Sequence, residues 1–168
     1  SKDQGAAPAL GARTVLNEAH HDPTKQLDLN ILIVRIIVLA QLLMEKRFYP
    51  YQVALARRVI ESLLMHDGDV ITSLMSRQAG KTEVIGGISG ALSLILPMLA
   101  KQYPDDWRLN ITDDQGNYRG FATGLAIGIY APKQEQSEIT FNRVKKAFDT
   151  KNGKRILGEM KVAIEENN

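Results

Sequence analysis

Cysteine is absent from the 168 residues, and neither acidic nor basic residues dominate. Without cysteine the chain has no disulfide, no thiolate metal site and no cysteine nucleophile, which suits a reducing compartment. The formal net charge of +2 is too small to argue for a polyanionic partner. With 44% apolar and 24% charged residues the composition is that of a globular protein, and the length allows one ordinary core.

The most nearly continuous apolar run covers residues 31–44. Arg35 interrupts it, and the uncharged remainder is about half of the roughly 20 residues that a helix needs to cross a bilayer. We therefore expect a buried or partner-covered helix and no membrane contact. Residues 1–26 do not have the charged-then-apolar layout of a secretory signal and are expected to form a flexible leader.

Two helices are predicted at the start of the folded part. Residues 27–46 are helical by length and by their leucine and methionine content. Pro50 ends this helix and opens the next, since proline is favourable in a first helical turn. From Tyr51 to Met65 apolar residues recur at three- and four-residue intervals, and the sequence HDGD at residues 66–69 then forms a turn.

The next segments alternate between strand and helix patterns. Val70–Met75 is a short β-branched run, and Leu125–Ala131 is apolar at nearly every position, as expected of strands in a buried sheet. Helical stripes follow Lys81 and again cover residues 134–148. Residues after Thr150 are ambiguous.

Three features interrupt these patterns. The three glycines at 86, 87 and 90 weaken the helix that follows Lys81, which suggests a close approach to a sheet that a Cβ would obstruct. Pro97 should kink or end the same helix. The sequence DDQG at residues 113–116 predicts a hairpin or an exposed excursion.

The stretch SLMSRQAGKTEV, residues 73–84, follows a predicted strand and opens a helix. Free N–H groups and the helix dipole attract phosphate at such a point. Gly80 lets the backbone approach phosphates, Lys81 reaches the β and γ groups, and the Thr82 hydroxyl can hold Mg²⁺. Met75 replaces the leading glycine of the strict motif, whose main role is the turn out of the strand.

Three motifs together resemble the large terminase subunit of tailed bacteriophages, an ATPase that packages DNA. SRQAGKT is similar to its variant phosphate loop, FYPYQ at residues 48–52 to its adenine-recognition element, and GIYAPKQEQS at residues 128–137 to the strand-to-helix motif that follows. The resemblance spans residues 48–148. It implies an α/β fold for residues 27–168: the N-terminal part of a P-loop NTPase (RecA-like) parallel sheet with flanking helices, preceded by N-terminal helices.

The resemblance also implies roles for individual residues. Arg77 would act in cis on the γ-phosphate together with Lys81, and Gln52 would hydrogen-bond adenine while Phe48, Tyr49 or Tyr51 packs on the base. Lys133 and Gln134 would sense nucleotide or touch DNA, or simply form a turn. The implied ATP site comprises Tyr49, Gln52, Ser76, Arg77, Gln78, Ala79, Gly80, Lys81, Thr82 and Glu83, with Thr82 on Mg²⁺.

One expected motif is missing. ATP hydrolysis in this class needs an apolar strand that ends in Asp-Glu, and the sequence KVAIEENN offers Glu165 and Glu166 after too few apolar residues and without an aspartate. We therefore expect an N-terminal portion of a longer protein, in which the acidic motif and a nuclease domain follow. This portion alone should bind ATP but hydrolyse it poorly.

The predicted function is thus the ATP-binding portion of a motor that moves double-stranded DNA into a prohead in the cytoplasm of an infected cell. The expected partners are DNA, the portal or prohead, the small terminase subunit and further copies of the chain. A superfamily 2 helicase or translocase fragment is one alternative. The other is a non-catalytic interaction module that uses the helix at residues 31–44 as an oligomer contact.

Overall fold

The structure is a computed structural model that describes residues 26–76 and 80–166. The predicted leader, apart from Gln26, lies outside these residues, as do Arg77, Gln78 and Ala79. The described residues form five α-helices and one short 3-10 helix. Their bounds are α1 Leu29–Met44, α2 Pro50–Met65, α3 Lys81–Gln102, the 3-10 helix Phe121–Thr123, α4 Gln134–Asp149 and α5 Lys151–Glu166.

The predicted parallel sheet is wrong for this structure, because the described residues contain no β-strand. Val70–Met75 was predicted to be a short strand, and Leu125–Ala131 a strand that is buried on both faces. Instead, Val70 is 93% exposed, Leu74 97% and Tyr130 94%. An apolar, β-branched pattern reveals a preference for extended backbone but not whether a neighbouring strand is present to complete the hydrogen-bond ladder. The predicted α/β fold is therefore replaced by a helical one.

Helices α1 and α3 form the centre of the core. Asp28 caps the start of α1 by accepting a hydrogen bond from the Ile31 N–H at 2.9 Å, and Glu45 ends it in a left-handed conformation with φ of 53°. Both predicted N-terminal helices are confirmed to within two residues. The apolar face of α1 is buried inside the chain itself, through Leu32, Ile33, Ile36, Ile37, Leu39, Ala40, Leu43 and Met44.

Helix α3 packs against α1, α2, α4 and the 3-10 helix. It continues for five residues beyond Pro97, so this proline does not end it. By length and composition α3 could cross a membrane, but 67% of its apolar window is buried inside the fold. This burial is what is found in the core helix of a soluble protein.

The glycines of α3 allow this packing. A Cβ at Gly87 would lie 2.9 Å from the Met44 Cγ, and one at Gly86 would lie 3.2 Å from the backbone carbonyl carbon of Arg143. The predicted close approach is therefore present, but the neighbours are helices α1 and α4 and not a sheet. Helix packing explains the glycines equally well, because small residues allow two backbones to come together whatever their secondary structure.

A buried ion pair fastens the loop after α3 to the start of the described chain. Arg108 donates from Nε to Asp106 Oδ1 at 2.9 Å, and the Leu27 N–H donates to Asp106 Oδ2 at 3.3 Å. Burial opposes the charged form of Asp106, but the hydrogen bonds and charge of Arg108 and the bond from Leu27 outweigh it and lower the pKa of this carboxyl. His66, just beyond α2, contacts the Arg108 carbonyl oxygen at 2.8 Å.

The predicted turn at residues 113–116 is present. Asp113 accepts hydrogen bonds from the N–H groups of Asn117 at 2.9 Å and Gln115 at 3.0 Å, and these bonds, with others from the Asn117 side chain and Arg119, lower its pKa. Gly116 has φ of 80°, as tight turns require. An isolated antiparallel bridge joins Thr112 to Tyr118, so the excursion closes like a hairpin without forming a strand.

Helices α4 and α5 meet at Thr150. Its hydroxyl donates to the Leu43 carbonyl oxygen at 2.6 Å and accepts from the Gly153 N–H at 2.9 Å. The first bond ties the junction to α1, and the second caps α5. Predicted helix α4 is confirmed, and the ambiguous residues after Thr150 are helical.

Candidate functional site

The start of α3 carries the residues of the predicted phosphate loop. Gly80 occupies the N-cap with φ of 70° and ψ of 18°, a left-handed conformation that glycine adopts without strain. The first intrahelical bond runs from the Val84 N–H to the Gly80 carbonyl oxygen at 3.1 Å. The preceding N–H groups of the first turn have no intrahelical acceptor, and a glycine N-cap provides no side chain to accept from them. They give this point a partial positive charge.

Gln52 brings the second predicted motif to the same place. Its Oε1 accepts a hydrogen bond from the Tyr49 N–H at 2.8 Å, which closes the first turn of α2. Its Nε2 donates to the Gly80 carbonyl oxygen at 3.4 Å, across 28 residues of sequence. Gln52 is only 5% exposed, and a Cβ at Gly80 would collide with its amide nitrogen. The glycine and the glutamine therefore depend on each other sterically.

This contact gives Gln52 a role that the sequence interpretation missed. Its amide links the start of α2 to the start of α3, so Gln52 positions Gly80 whatever else it binds. The predicted hydrogen bonds to adenine stay a prediction. A glutamine three residues after a helix N-cap indicates the bond back to Tyr49, but nothing in the sequence indicates the contact with Gly80.

The aromatic residues of the FYPYQ motif divide into two groups. Tyr49 and Tyr51 stack with ring centroids 5.8 Å apart and an interplanar angle of 7°, and Tyr49 is 64% exposed. Phe48 instead packs against α3, where its Cζ would lie 3.3 Å from a Cβ on Gly87. Of the three aromatic candidates, the two tyrosines therefore present rings to solvent, and Phe48 is partly buried against the core.

The other residues predicted to belong to the site lie around the start of α3 or at the start of α4. Lys81 is exposed in the first turn of α3, Thr82 and Glu83 are half-buried beside it, and Ser76 is exposed. Lys133 forms the N-cap of α4, while the Gln134 side chain donates to Glu138 on the same helix at 2.7 Å. The structure thus brings Tyr49, Gln52, Gly80, Lys81, Thr82 and Glu83 together. Arg77, Gln78 and Ala79 lie outside the described residues.

Glu83 is the centre of an ion cluster at this site. The Lys46 Nζ pairs with Glu83 Oε1, and the Arg143 Nη1 lies 3.4 Å from the same oxygen. These contacts join the end of α1, the start of α3 and the middle of α4. The cluster was not predicted from the sequence, because its members are separated by 37 and 60 residues.

The residues of this site form no metal-binding cluster within the described ranges 26–76 and 80–166. No group of three or more His, Cys, Asp or Glu residues is placed to hold a metal ion. Glu165 and Glu166 lie in α5 and not at the end of a strand. The lowered pKa values belong to turn carboxyls; for Asp67 the largest cause is the hydrogen bond from the Ser62 hydroxyl.

The glycine conformation, the uncapped helix start and the exposed lysine can together receive an anionic group. The stacked tyrosines at the start of α2, the helix that carries Gln52, offer a flat aromatic surface. Comparison of the chain with protein-family models, curated proteins and solved structures finds no match.

Proposed function

We propose that this chain is the ATP-binding portion of a viral DNA-packaging motor, a large terminase subunit. The observation that supports it best is the contact between Gln52 and Gly80. It places the motif that resembles an adenine-recognition element next to the motif that resembles a phosphate loop. The proposal concerns the site and does not depend on the parallel sheet, which the described residues do not form.

The chemistry of the residues suits a nucleoside triphosphate. The first-turn N–H groups of α3 and the Lys81 ammonium would neutralise phosphate charge, and Tyr49 would pack on the base. The Thr82 hydroxyl would be one ligand of Mg²⁺, whose remaining ligands would be phosphate oxygens and water. When bound, Mg²⁺ neutralises charge on the β- and γ-phosphates.

Hydrolysis would require more than these groups. Arg77 is proposed to neutralise charge on the γ-phosphate, and a water-activating carboxylate would come from an acidic motif elsewhere in the complete protein. ATP turnover there would drive double-stranded DNA into a prohead in the cytoplasm of an infected cell. The portal or prohead, the small terminase subunit and further copies of the chain are the proposed partners.

Isothermal titration of the chain with Mg·ATP tests the binding proposal. Lys81→Ala should weaken ATP binding by about tenfold or more, because a charge-assisted contact to phosphate is lost. Lys101→Ala is the matched control, since Lys101 is an exposed lysine in the last turn of the same helix. Equal affinities of the wild type, Lys81→Ala and Lys101→Ala, or no ATP binding by the wild type, would refute the proposal.

A further inference from the structure

The two oxygens of Glu83 have different surroundings. Oε1 receives both cations, Lys46 from just beyond α1 and Arg143 from α4. Oε2 would lie 3.9 Å from a Cβ on Gly80. A carboxylate in the first turn of α3 is favourably placed with respect to the helix dipole. Glu83 is thus the anion at a helix start that would also attract phosphate.

Nucleotide phosphates at this helix start would compete with Glu83. Two cations share one carboxylate, so the cluster carries a net positive charge that phosphate oxygens would also attract. The side chain of Glu83 is only 23% exposed, so solvent screens its repulsion of a nearby phosphate only in part. The Arg143 contact, at 3.4 Å, is partly buried as well.

Helix α4 packs along α3 but buries little apolar side-chain surface. Ala147 is its one buried residue among those described, and most of its remaining side chains are exposed or half-buried. The backbone of Arg143 lies against Gly86, less than one turn beyond Glu83. Local unfolding of a helix with so little buried apolar surface costs little free energy. The loss of one ion pair can therefore change the rate at which the backbone amides of α4 exchange hydrogen with solvent.

We propose that Glu83 couples nucleotide binding to the release of α4. This inference rests on the proposed function. Without nucleotide, Glu83 holds Lys46 and Arg143 and thereby fastens α4 to α3. Phosphate at Gly80–Thr82 repels the Glu83 carboxylate and competes with it for Lys46, so that the contact between Glu83 and Arg143 breaks and α4 loosens. Glu83 is a positioning residue in this scheme, because it acts through the two cations.

Amide hydrogen exchange measured by mass spectrometry tests the coupling on the wild type and Glu83→Gln, each with and without Mg·ATP. Peptides from residues 134–149 should exchange faster in the wild type when ATP is added. In Glu83→Gln they should exchange faster already without ATP and change little when it is added. ATP should also bind Glu83→Gln roughly threefold tighter or more, because a like charge is removed and two cations are freed. A merely structural Glu83 would instead give weaker ATP binding on substitution.

Two further variants complete the experiment. Arg143→Met should accelerate exchange in α4 without tightening ATP binding, and it replaces Glu83→Gln should that variant fail to fold. Glu159→Gln removes the carboxylate of the ion pair between Arg155 and Glu159 on α5. This control should leave both the hydrogen exchange of α4 and the affinity for ATP unchanged. If the wild type binds no ATP, the proposed function fails and the coupling fails with it. If ATP binds while exchange in α4 stays constant, only the coupling is refuted.

Discussion

The Gln52 side chain donates a hydrogen bond to the Gly80 carbonyl oxygen at 3.4 Å and at the same time accepts one from the Tyr49 N–H at 2.8 Å. One amide therefore joins the first turn of α2 to the residue that opens α3. Any substitution of Gln52 should affect the position of Gly80 as well as whatever Gln52 itself contacts.

Replacement of Gln52 by alanine separates these two roles. We expect the free energy of unfolding to fall by about 1–2 kcal/mol, because the Tyr49 N–H and the Gly80 carbonyl each lose a partner. If Gln52 also contacts adenine, ATP should lose more affinity than GTP in competition binding. Gln136→Ala, on the exposed surface of α4, is the control. An equal loss for both nucleotides would limit Gln52 to positioning Gly80.

Two glycines of α3 should respond in opposite directions to substitution by alanine. A Cβ at Gly90 would make ordinary contacts of 3.5–3.6 Å, so Gly90→Ala should raise the free energy of unfolding by about 0.5–1 kcal/mol through helix propensity. A Cβ at Gly86 would lie 3.1 Å from the Arg143 Cβ and 3.2 Å from its carbonyl carbon. Overpacking there costs about 1–3 kcal/mol, so Gly86→Ala should lower stability.

Urea unfolding of both variants measures this difference directly. Stabilisation of the same size by the two substitutions would show that α4 does not approach α3 closely at Gly86.

Stability in acid should depend on Asp106. Its pKa is lowered in the folded protein, so its contribution is complete above the unfolded value of about 3.9 and is lost as pH falls through the lower folded value. Asp106→Asn should cost about 3 kcal/mol or more at pH 7, because the buried Arg108 loses its charged partner. Below about pH 4 the free energy of unfolding of Asp106→Asn should fall less steeply with pH than that of the wild type, because the variant has no carboxyl at this position to protonate.

Urea unfolding between pH 7 and pH 3 checks both parts of this expectation. Asp114→Asn, at an exposed position within the turn at residues 113–116, should behave like the wild type. An unchanged acid slope in Asp106→Asn would show that Asp106 is not held ionised by its contacts.

The helices could be predicted because local signals determine them. Pro50 marks a helix start, the HDGD turn marks an end, and the apolar spacing between them gives one face. The start of α5 could also have been predicted, because threonine is a favoured N-cap residue and Thr150 directly precedes this helix. Its hydroxyl accepts a hydrogen bond from the Gly153 N–H, as expected of an N-cap. Signals of this kind need no knowledge of the rest of the fold.

Tertiary relationships could not be obtained in this way. The apolar pattern of Leu125–Ala131 is shared by buried strands and by extended segments that lie on a surface, so it predicted a strand that is absent. The glycines indicated a close approach but not its partner, which is helical. The contacts of Gly80 with Gln52 and of Glu83 with Arg143 arise only once α1, α2 and α4 have packed against α3.

The most direct test of the account is to observe the backbone amides at the start of α3 while Mg·ATP is added. In two-dimensional ¹H–¹⁵N NMR spectra, the amides of Gly80, Lys81, Thr82 and Glu83 should show the largest shifts, with smaller ones at Tyr49 and Gln52, and Lys81→Ala should suppress them. Spectra that stay unchanged, or shifts confined to other parts of the chain, would contradict an ATP site at this helix start.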